Sequence, residues 1–121
     1  MENKKTLILG ASTNPSRYSY RAAQRLSGAN FPVVLVGIKR GKVAGQEILL
    51  TTESIIDIHT VTLYLSPKNQ TSYEDFILAL KPHRVIFNPG AENFPFMEKL
   101  TVAGIEAFEA CTLVMLSSGQ F

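Results

Sequence analysis

Cysteine and tryptophan are nearly absent from this sequence of 121 residues. It contains one cysteine, Cys111, and no tryptophan. A single cysteine excludes a disulfide framework within the chain and any metal site built from several cysteines. It is also typical of a reducing compartment. We therefore expect a cytoplasmic protein that is stabilised by its core rather than by cross-links.

Long apolar runs and a strong net charge are missing as well. The apolar run after Lys4 and Lys5 is far too short for a signal peptide, and no stretch approaches transmembrane length. The formal net charge of +2 is small and its charges look scattered, which argues against nucleic-acid binding but allows a site for a small polyanion. With 45% hydrophobic and 18% charged residues, residues 1–121 are predicted to form one globular domain.

Short apolar runs with the composition of buried strands recur along the chain. Four predicted strands lie at residues 6–9, 33–37, 60–65 and 84–87, and a shorter fifth lies at 105–108. Residues 46–50 suggest a further short edge segment, whereas the basic, glycine-containing stretch 39–45 is predicted to be a loop.

Helical patterns separate these runs. Residues 18–27 are predicted to form the first helix, with Gly28 expected as its left-handed C-terminal cap. Thr71 and Glu74 have the spacing of a capping box before a second helix, and Asn93 is expected to cap a third. Two weaker predictions are a single helical turn at 51–56 and an apolar tail at 112–116 that packs on the sheet.

This alternation predicts an α/β fold of the Rossmann-like, doubly wound type. The sheet should contain about five mainly parallel strands and lie between two helical layers in a single three-layer domain. Ligands of such sheets bind beyond the carboxyl ends of the strands. Three loops should meet there, namely residues 10–17, 37–42 and 88–93.

The loop at 10–17 has features of a phosphate-binding turn. A strand leads into small and polar residues and then into a helix N-terminus, where backbone N–H groups and partial positive charge favour phosphate. Arg17 could add a bidentate donor. The loop is not a dinucleotide fingerprint, because Ser12 and Pro15 occupy positions where G-x-G-x-x-G requires glycine.

The end of the second predicted strand indicates which nucleotide fits. An NAD site has an acidic residue there for the ribose hydroxyls, but this chain has Gly37, Ile38, Lys39 and Arg40. The cations favour a ribose that carries a phosphate. The sequence therefore favours NADP or coenzyme A over NAD, with an ordinary solvated basic loop as the alternative.

Several segments resemble the small single-domain CoA-binding proteins, which are Rossmann-like domains related to the CoA-binding part of succinyl-CoA synthetase. The segments that carry the resemblance are Gly10-Ala-Ser-Thr-Asn-Pro-Ser-Arg-Tyr-Ser-Tyr20, Gly45-Gln-Glu47, Asn88-Pro-Gly-Ala-Glu-Asn93, and Ala103-Gly-Ile105 through Cys111. Together they span nearly the whole chain. The chain departs from the family where Val-Asn-Pro commonly follows the second strand, and where Phe87 and Asn88 replace a frequent Trp and Gln.

The resemblance implies that CoA or an acyl-CoA is the ligand. It places Ser12, Asn14 and Arg17 near the phosphates. Together with the three loops at the strand ends, this gives as candidate binding residues Gly10, Ala11, Ser12, Asn14 and Arg17 of the first loop, Gly37, Ile38, Lys39 and Arg40 of the second, and Asn88, Pro89 and Gly90 of the third. We expect no metal, membrane or nucleic-acid partner. A homodimer contact through exposed aromatic residues near Phe94 is an open alternative.

No combination of residues at recognisable spacing indicates catalysis. No histidine lies near Cys111 in the sequence, and His59 and His83 are expected to be surface or strand-edge residues. Glu92 is explained by the helix that follows it. We therefore expect a binding protein and no enzyme. Two alternatives stay open: an NADP-dependent reductase or redox sensor, and a ligand-free domain that acts through protein contacts.

Overall fold

A seven-stranded sheet forms the centre of the computed structural model, which describes residues 4–121. The strands are β1 (Thr6–Leu9), β2 (Val33–Val36), β3 (Lys42–Val43), β4 (Gln46–Leu49), β5 (Thr60–Leu63), β6 (Arg84–Phe87) and β7 (Glu106–Glu109). Their order across the sheet is β3-β4-β2-β1-β5-β6-β7. All pairings are parallel except that of β3 with β4.

Five α-helices cover the two faces of this sheet. They are α1 (Tyr18–Gly28), α2 (Pro67–Gln70), α3 (Glu74–Leu80), α4 (Phe94–Val102) and α5 (Thr112–Ser117). One core joins the sheet to α1 and α5 through residues such as Ile8, Leu26 and Ile86. The other joins it to α3 and α4, where Phe87 and Phe96 meet edge to face at 5.9 Å. The predicted three-layer, doubly wound fold is confirmed.

The sheet has seven strands rather than about five because residues 42–49 form a hairpin. Its two turn residues, Ala44 and Gly45, both have positive φ (+53° and +80°), as a two-residue hairpin turn requires. Alanine seldom adopts this conformation, so the sequence carries no hairpin signal and predicts a loop at 39–45. The predicted edge segment at 46–50 is β4. This strand lies between β3 and β2, and β3 is the edge strand.

Several helix ends differ from prediction. Gly28 is the last helical residue, and the left-handed conformation falls on Asn30 instead (φ +69°). The prediction of a capping box at Thr71 and Glu74 is wrong. A helix already begins at Pro67, and the Thr71 hydroxyl donates to the carbonyl of Pro67. Residues 51–56 contain a turn and no helix, and the apolar tail is the helix α5.

The cap of α4 agrees with its sequence signal. The Asn93 side chain accepts a hydrogen bond from the backbone N–H of Phe96 at 3.3 Å, and Pro95 lies in the first turn. No helix in the described part of the chain has the length and apolar character that a membrane crossing requires.

Candidate functional site

Three loops lie at the carboxyl edge of the sheet. The first loop (residues 10–17) follows β1, the second (37–42) follows β2, and the third (88–93) follows β6. β2, β1, β5 and β6 are parallel neighbours in that order, so their carboxyl ends share one edge. The topology therefore brings the predicted site loops together.

The first and second loops pack directly against each other. The N–H groups of Gly10 and Ala11 both donate to the carbonyl of Val36, at 3.0 and 2.9 Å. A Cβ atom at Gly37 would collide with the carbonyl oxygen of Ala11, and one at Gly41 would collide with the methyl group of Thr13. Glycine is thus required at position 37 for close approach of two backbones.

Side chains within the first loop fix its shape. The Ser12 hydroxyl accepts from the N–H of Asn14 at 3.0 Å. The Asn14 side-chain oxygen accepts from the N–H and hydroxyl of Ser16, at 3.0 and 2.8 Å. The loop is exposed at Asn14, and the Ser12 hydroxyl hydrogen stays available to a ligand.

The helix that follows the first loop begins with free backbone donors. Arg17 is its N-cap residue, in an extended conformation (φ −81°, ψ 140°) and without a side-chain cap. The first bond into the helix runs from Arg21 N–H to the Arg17 carbonyl. Its first turn holds no acidic residue, and the Arg17 side chain is exposed. This helix end is therefore suited to an anion.

The second loop presents its side chains to solvent. Ile38 is 86% exposed, and Lys39 and Arg40 are exposed beside it. The base of the loop is held by β4, since Gly37 N–H donates to Leu49 and Gly41 accepts from Ile48. Its base is therefore anchored, while its two cations are exposed at the carboxyl edge of the sheet.

Asn88 of the third loop is fully engaged in the protein interior. Its Nδ2 donates to the Thr62 hydroxyl at 2.6 Å and to the Leu63 carbonyl at 2.9 Å. Its Oδ1 accepts from the N–H of Thr112, the first residue of α5, at 2.9 Å. Asn88 is 1% exposed. It positions β5, β6 and α5 relative to one another, and its side chain has little capacity left for a ligand.

Pro89 and Gly90, in contrast, are exposed. Gly90 has a positive φ of +95°, and its N–H donates to the carboxylate of Glu92 at 2.8 Å. Of the three predicted residues in this loop, only these two are exposed. The Glu92 carboxylate therefore has a structural role, as the acceptor in this turn.

Gln70, which the sequence did not single out, ties the third loop to the end of β5. It is fully buried and donates to the carbonyls of Leu65 and Ala91 at 2.8 and 2.7 Å. Its side-chain oxygen accepts from Asn93 at 2.9 Å. Ala91 and Asn93 are 21 and 23 residues away in sequence, so no local pattern could have identified the role.

Tyr64 follows β5 on the face covered by α1 and α5. Its hydroxyl is buried and, within residues 4–121, makes no well-formed hydrogen bond. Burial raises the pKa of Tyr64 to about 12, the nearby Thr112 and Thr62 hydroxyls oppose the rise, and Cys111 adds to it. This hydroxyl is therefore neutral at physiological pH.

The other candidate catalytic residues are dispersed. Cys111 follows β7 at the carboxyl edge and is partly buried. His59 and His83 precede β5 and β6, so they lie at the opposite edge, where their rings stack at 4.7 Å. Among residues 4–121, no group of three or more His, Cys, Asp or Glu side chains is placed to hold a metal ion.

Comparison with known proteins identifies the family. A model of the CoA binding domain matches residues 4–117. This chain belongs to the CoA-binding domain family. The predicted resemblance is confirmed.

Solved structures show the same fold. A crystal structure of an uncharacterized protein is 50% identical, with a TM-score of 0.96 and full coverage of both chains. A Thermus thermophilus protein is 21% identical, with a TM-score of 0.87 over 98% of this chain and 91% of its own. A hypothetical protein from Pyrococcus horikoshii OT3 is 23% identical, with a TM-score of 0.85 over 98% and 84%. The latter two show the fold. Comparison with curated proteins gave no match.

Proposed function

We propose that this member of the CoA-binding domain family binds CoA or an acyl-CoA at the carboxyl edge of its sheet and performs no catalysis of its own. The observation that carries the proposal is the packing of the first loop on the second, with Gly37 against Ala11. This packing gathers a free helix N-terminus and the exposed cations Arg17, Lys39 and Arg40 at one edge. CoA, with its diphosphate and its 3′-phosphate, needs positive charge at two separate points.

The diphosphate fits the first loop. The N–H groups that begin α1 have no acceptor within the helix, and the helix dipole adds partial positive charge there. Arg17 stands at that helix end with its guanidinium in solvent, where it can bind a phosphate oxygen pair. In this pose the backbone from Gly10 to Ser12 lies beneath the phosphates.

The adenosine end fits the second loop. Lys39 and Arg40 supply charge for the 3′-phosphate, and Ile38 offers an exposed apolar surface for the base. The acidic residue that NAD recognition uses is missing at this point. An NADP site shares the need for cations, but the first loop lacks the required glycines, and the comparisons give NADP no support.

The absence of catalysis is proposed from the placement of reactive side chains. Acyl transfer needs a nucleophile with a base within hydrogen-bond reach. Cys111 lies at the carboxyl edge, whereas both histidines lie at the opposite one. A single cysteine is typical of a reducing compartment, and we propose that the protein acts in the cytoplasm.

The deciding experiment is thermal melting of the purified protein with CoA, dephospho-CoA, NADP and NAD in parallel. Ligand at a hundred times its dissociation constant stabilises by ~2.7 kcal/mol. In a chain of this size that raises Tm by about 10 °C. We expect a large shift with CoA, a smaller one with dephospho-CoA and none with NAD. If the variant Lys39→Gln/Arg40→Gln shows equal Tm shifts with CoA and dephospho-CoA, the 3′-phosphate is assigned to the second loop.

Two results would overturn the proposal. If none of the four ligands changes Tm, the chain is better described as a ligand-free interaction domain. If the purified protein hydrolyses or transfers an acyl-CoA, and Arg17→Gln abolishes that turnover, the protein is an enzyme.

A further inference from the structure

The positive charge of this chain is segregated rather than scattered. Residues 3–46 contain eight of the twelve Lys and Arg residues and none of the ten Asp and Glu residues. The eight are Lys4, Lys5, Arg17, Arg21, Arg25, Lys39, Arg40 and Lys42. This segment contains β1, α1, β2 and β3, although β4, which carries Glu47, lies between β2 and β3 in the sheet. The net charge of +2 therefore conceals a basic stretch of the sequence.

The exposed face of α1 concentrates this charge in a line. Arg17, Arg21 and Arg25 recur every four residues and are all exposed, whereas the opposite face of the helix is buried. Successive arginines are about 6 Å apart along the axis. We call these three residues the arginine stripe. Within residues 4–121 none of them pairs with a carboxylate; the ion pair found there joins Lys99 to Glu74.

Neighbouring side chains hold two of the arginines in place. The Arg21 guanidinium lies over the ring of Tyr18, 5.5 Å from its centroid, and Tyr18 is 63% exposed. Arg25 donates to the Ser117 hydroxyl of α5 at 3.2 Å. Arginines whose geometry is already restricted lose less conformational freedom when they bind.

CoA binding does not account for the whole stripe. An anion at a helix N-terminus interacts with the first turn only. Arg25 lies eight residues beyond Arg17, about 12 Å along the helix. Arg21 and Arg25 therefore form a basic surface beside the proposed ligand edge rather than within it.

We propose that Tyr18, Arg21 and Arg25 dock an acidic protein surface, of the kind presented by a helix with carboxylates four residues apart. Carboxylates at that spacing match the 6 Å repeat of the stripe, and tyrosine and arginine are among the residues enriched at binding hot spots. This proposal does not depend on CoA binding.

Other occupants fit less well. Within residues 4–121, a second copy of the chain has no helix with two carboxylates four residues apart, and Glu74 is already paired with Lys99. Nucleic acid usually requires a broader basic surface and a larger net charge than +2. The stripe is only one helix wide.

The test uses a labelled alanine-rich peptide of about 20 residues, long enough for a helix, with glutamates four residues apart. Binding is followed by fluorescence anisotropy at low salt. We expect Arg21→Gln/Arg25→Gln to weaken binding roughly tenfold, since two exposed charge pairs are lost. The matched control, Lys68→Gln/Lys81→Gln, removes the same charge from exposed positions elsewhere and should change affinity less than about twofold.

Any of three results would overturn the proposal. The first is that the peptide fails to bind wild-type protein at low salt, and the second is that both double variants lose affinity equally. The third is that single-stranded oligothymidylate binds more tightly than the peptide. CoA-dependent melting of the same variants is measured in parallel. It should be unchanged in Arg21→Gln/Arg25→Gln, so failure of the docking proposal is distinguishable from failure of CoA binding.

Discussion

Replacing Asn88 with alanine tests whether this residue supports the site from within the protein. Its side chain makes three buried hydrogen bonds, to Thr62, Leu63 and Thr112, with donor–acceptor distances from 2.6 to 2.9 Å. In Asn88→Ala the buried N–H of Thr112 loses its acceptor. Leu63 keeps a backbone donor at 3.4 Å, and the Thr62 hydroxyl keeps that of Thr112.

The expected loss of stability follows from these partners. Three hydrogen bonds at about 1 kcal/mol each, one of which leaves an unsatisfied donor, give a destabilisation of roughly 3 kcal/mol. The unfolding entropy scales with chain length, so Tm should fall by about 12 °C. Asn88→Asp keeps the acceptor for Thr112 but removes both donors. Because burial beside Leu63 disfavours a carboxylate, that variant should be more destabilised at pH 7 than at pH 4.

Thermal and urea unfolding of Asn88→Ala, Asn88→Asp and wild type measure these differences. The control is Asn69→Ala, at an exposed position in α2, which should stay within about 0.5 kcal/mol of wild type. If Asn88→Ala unfolds within about 1 kcal/mol of wild type, the network does not support the fold as described. Asn88 would then be free to serve the ligand directly.

Three further predictions concern single positions. Gly37→Ala places a methyl group against the Ala11 carbonyl, so it should lower the free energy of unfolding by about 1–3 kcal/mol and weaken CoA binding. Gly28→Ala has open space at its Cβ and should raise that free energy by about 0.5–1 kcal/mol, so an equal Tm for the two variants contradicts this reasoning. Ala44→Gly relieves a positive φ in the β3–β4 turn and should raise stability by about 1 kcal/mol, so a lower Tm would refute the strain. The pKa of Tyr64, raised to about 12, means that the folded state holds this proton more tightly than the unfolded state. Stability should therefore fall by roughly 2–3 kcal/mol between pH 10 and 12, and Tyr64→Phe should remove that part of the loss in unfolding experiments.

Local signals predicted much of the fold. The run 84–87 is β6 to the residue, and Asn93 caps α4, because each depends on neighbours in the chain. The β3–β4 hairpin was missed since Ala44 replaces the usual turn residues. The helix before α3 was missed because Pro67 looked like the end of a strand rather than the start of a helix.

The site was predictable at the level of loops but less so at the level of side chains. Parallel topology alone places three loops at one edge. Whether a polar residue faces the ligand or the interior depends on partners far away in sequence. Asn88 bonds to Thr62 and Thr112, which are 26 and 24 residues away, and Gln70 reaches Ala91, 21 residues away. No spacing rule connects such residues.

The missing side chain at Gly37 also has a consequence for how the two ends of a ligand are coupled. With no Cβ between them, the Ala11 and Gly37 backbones touch directly, which sets the spacing between the first and second loops. A dinucleotide-like molecule that engages both loops then has less rearrangement to impose when it binds. A spacing that is set in advance lets binding of one end favour binding of the other. Enlarging residue 37 should loosen that coupling, and the contribution of a 3′-phosphate would then no longer depend on whether the diphosphate is bound.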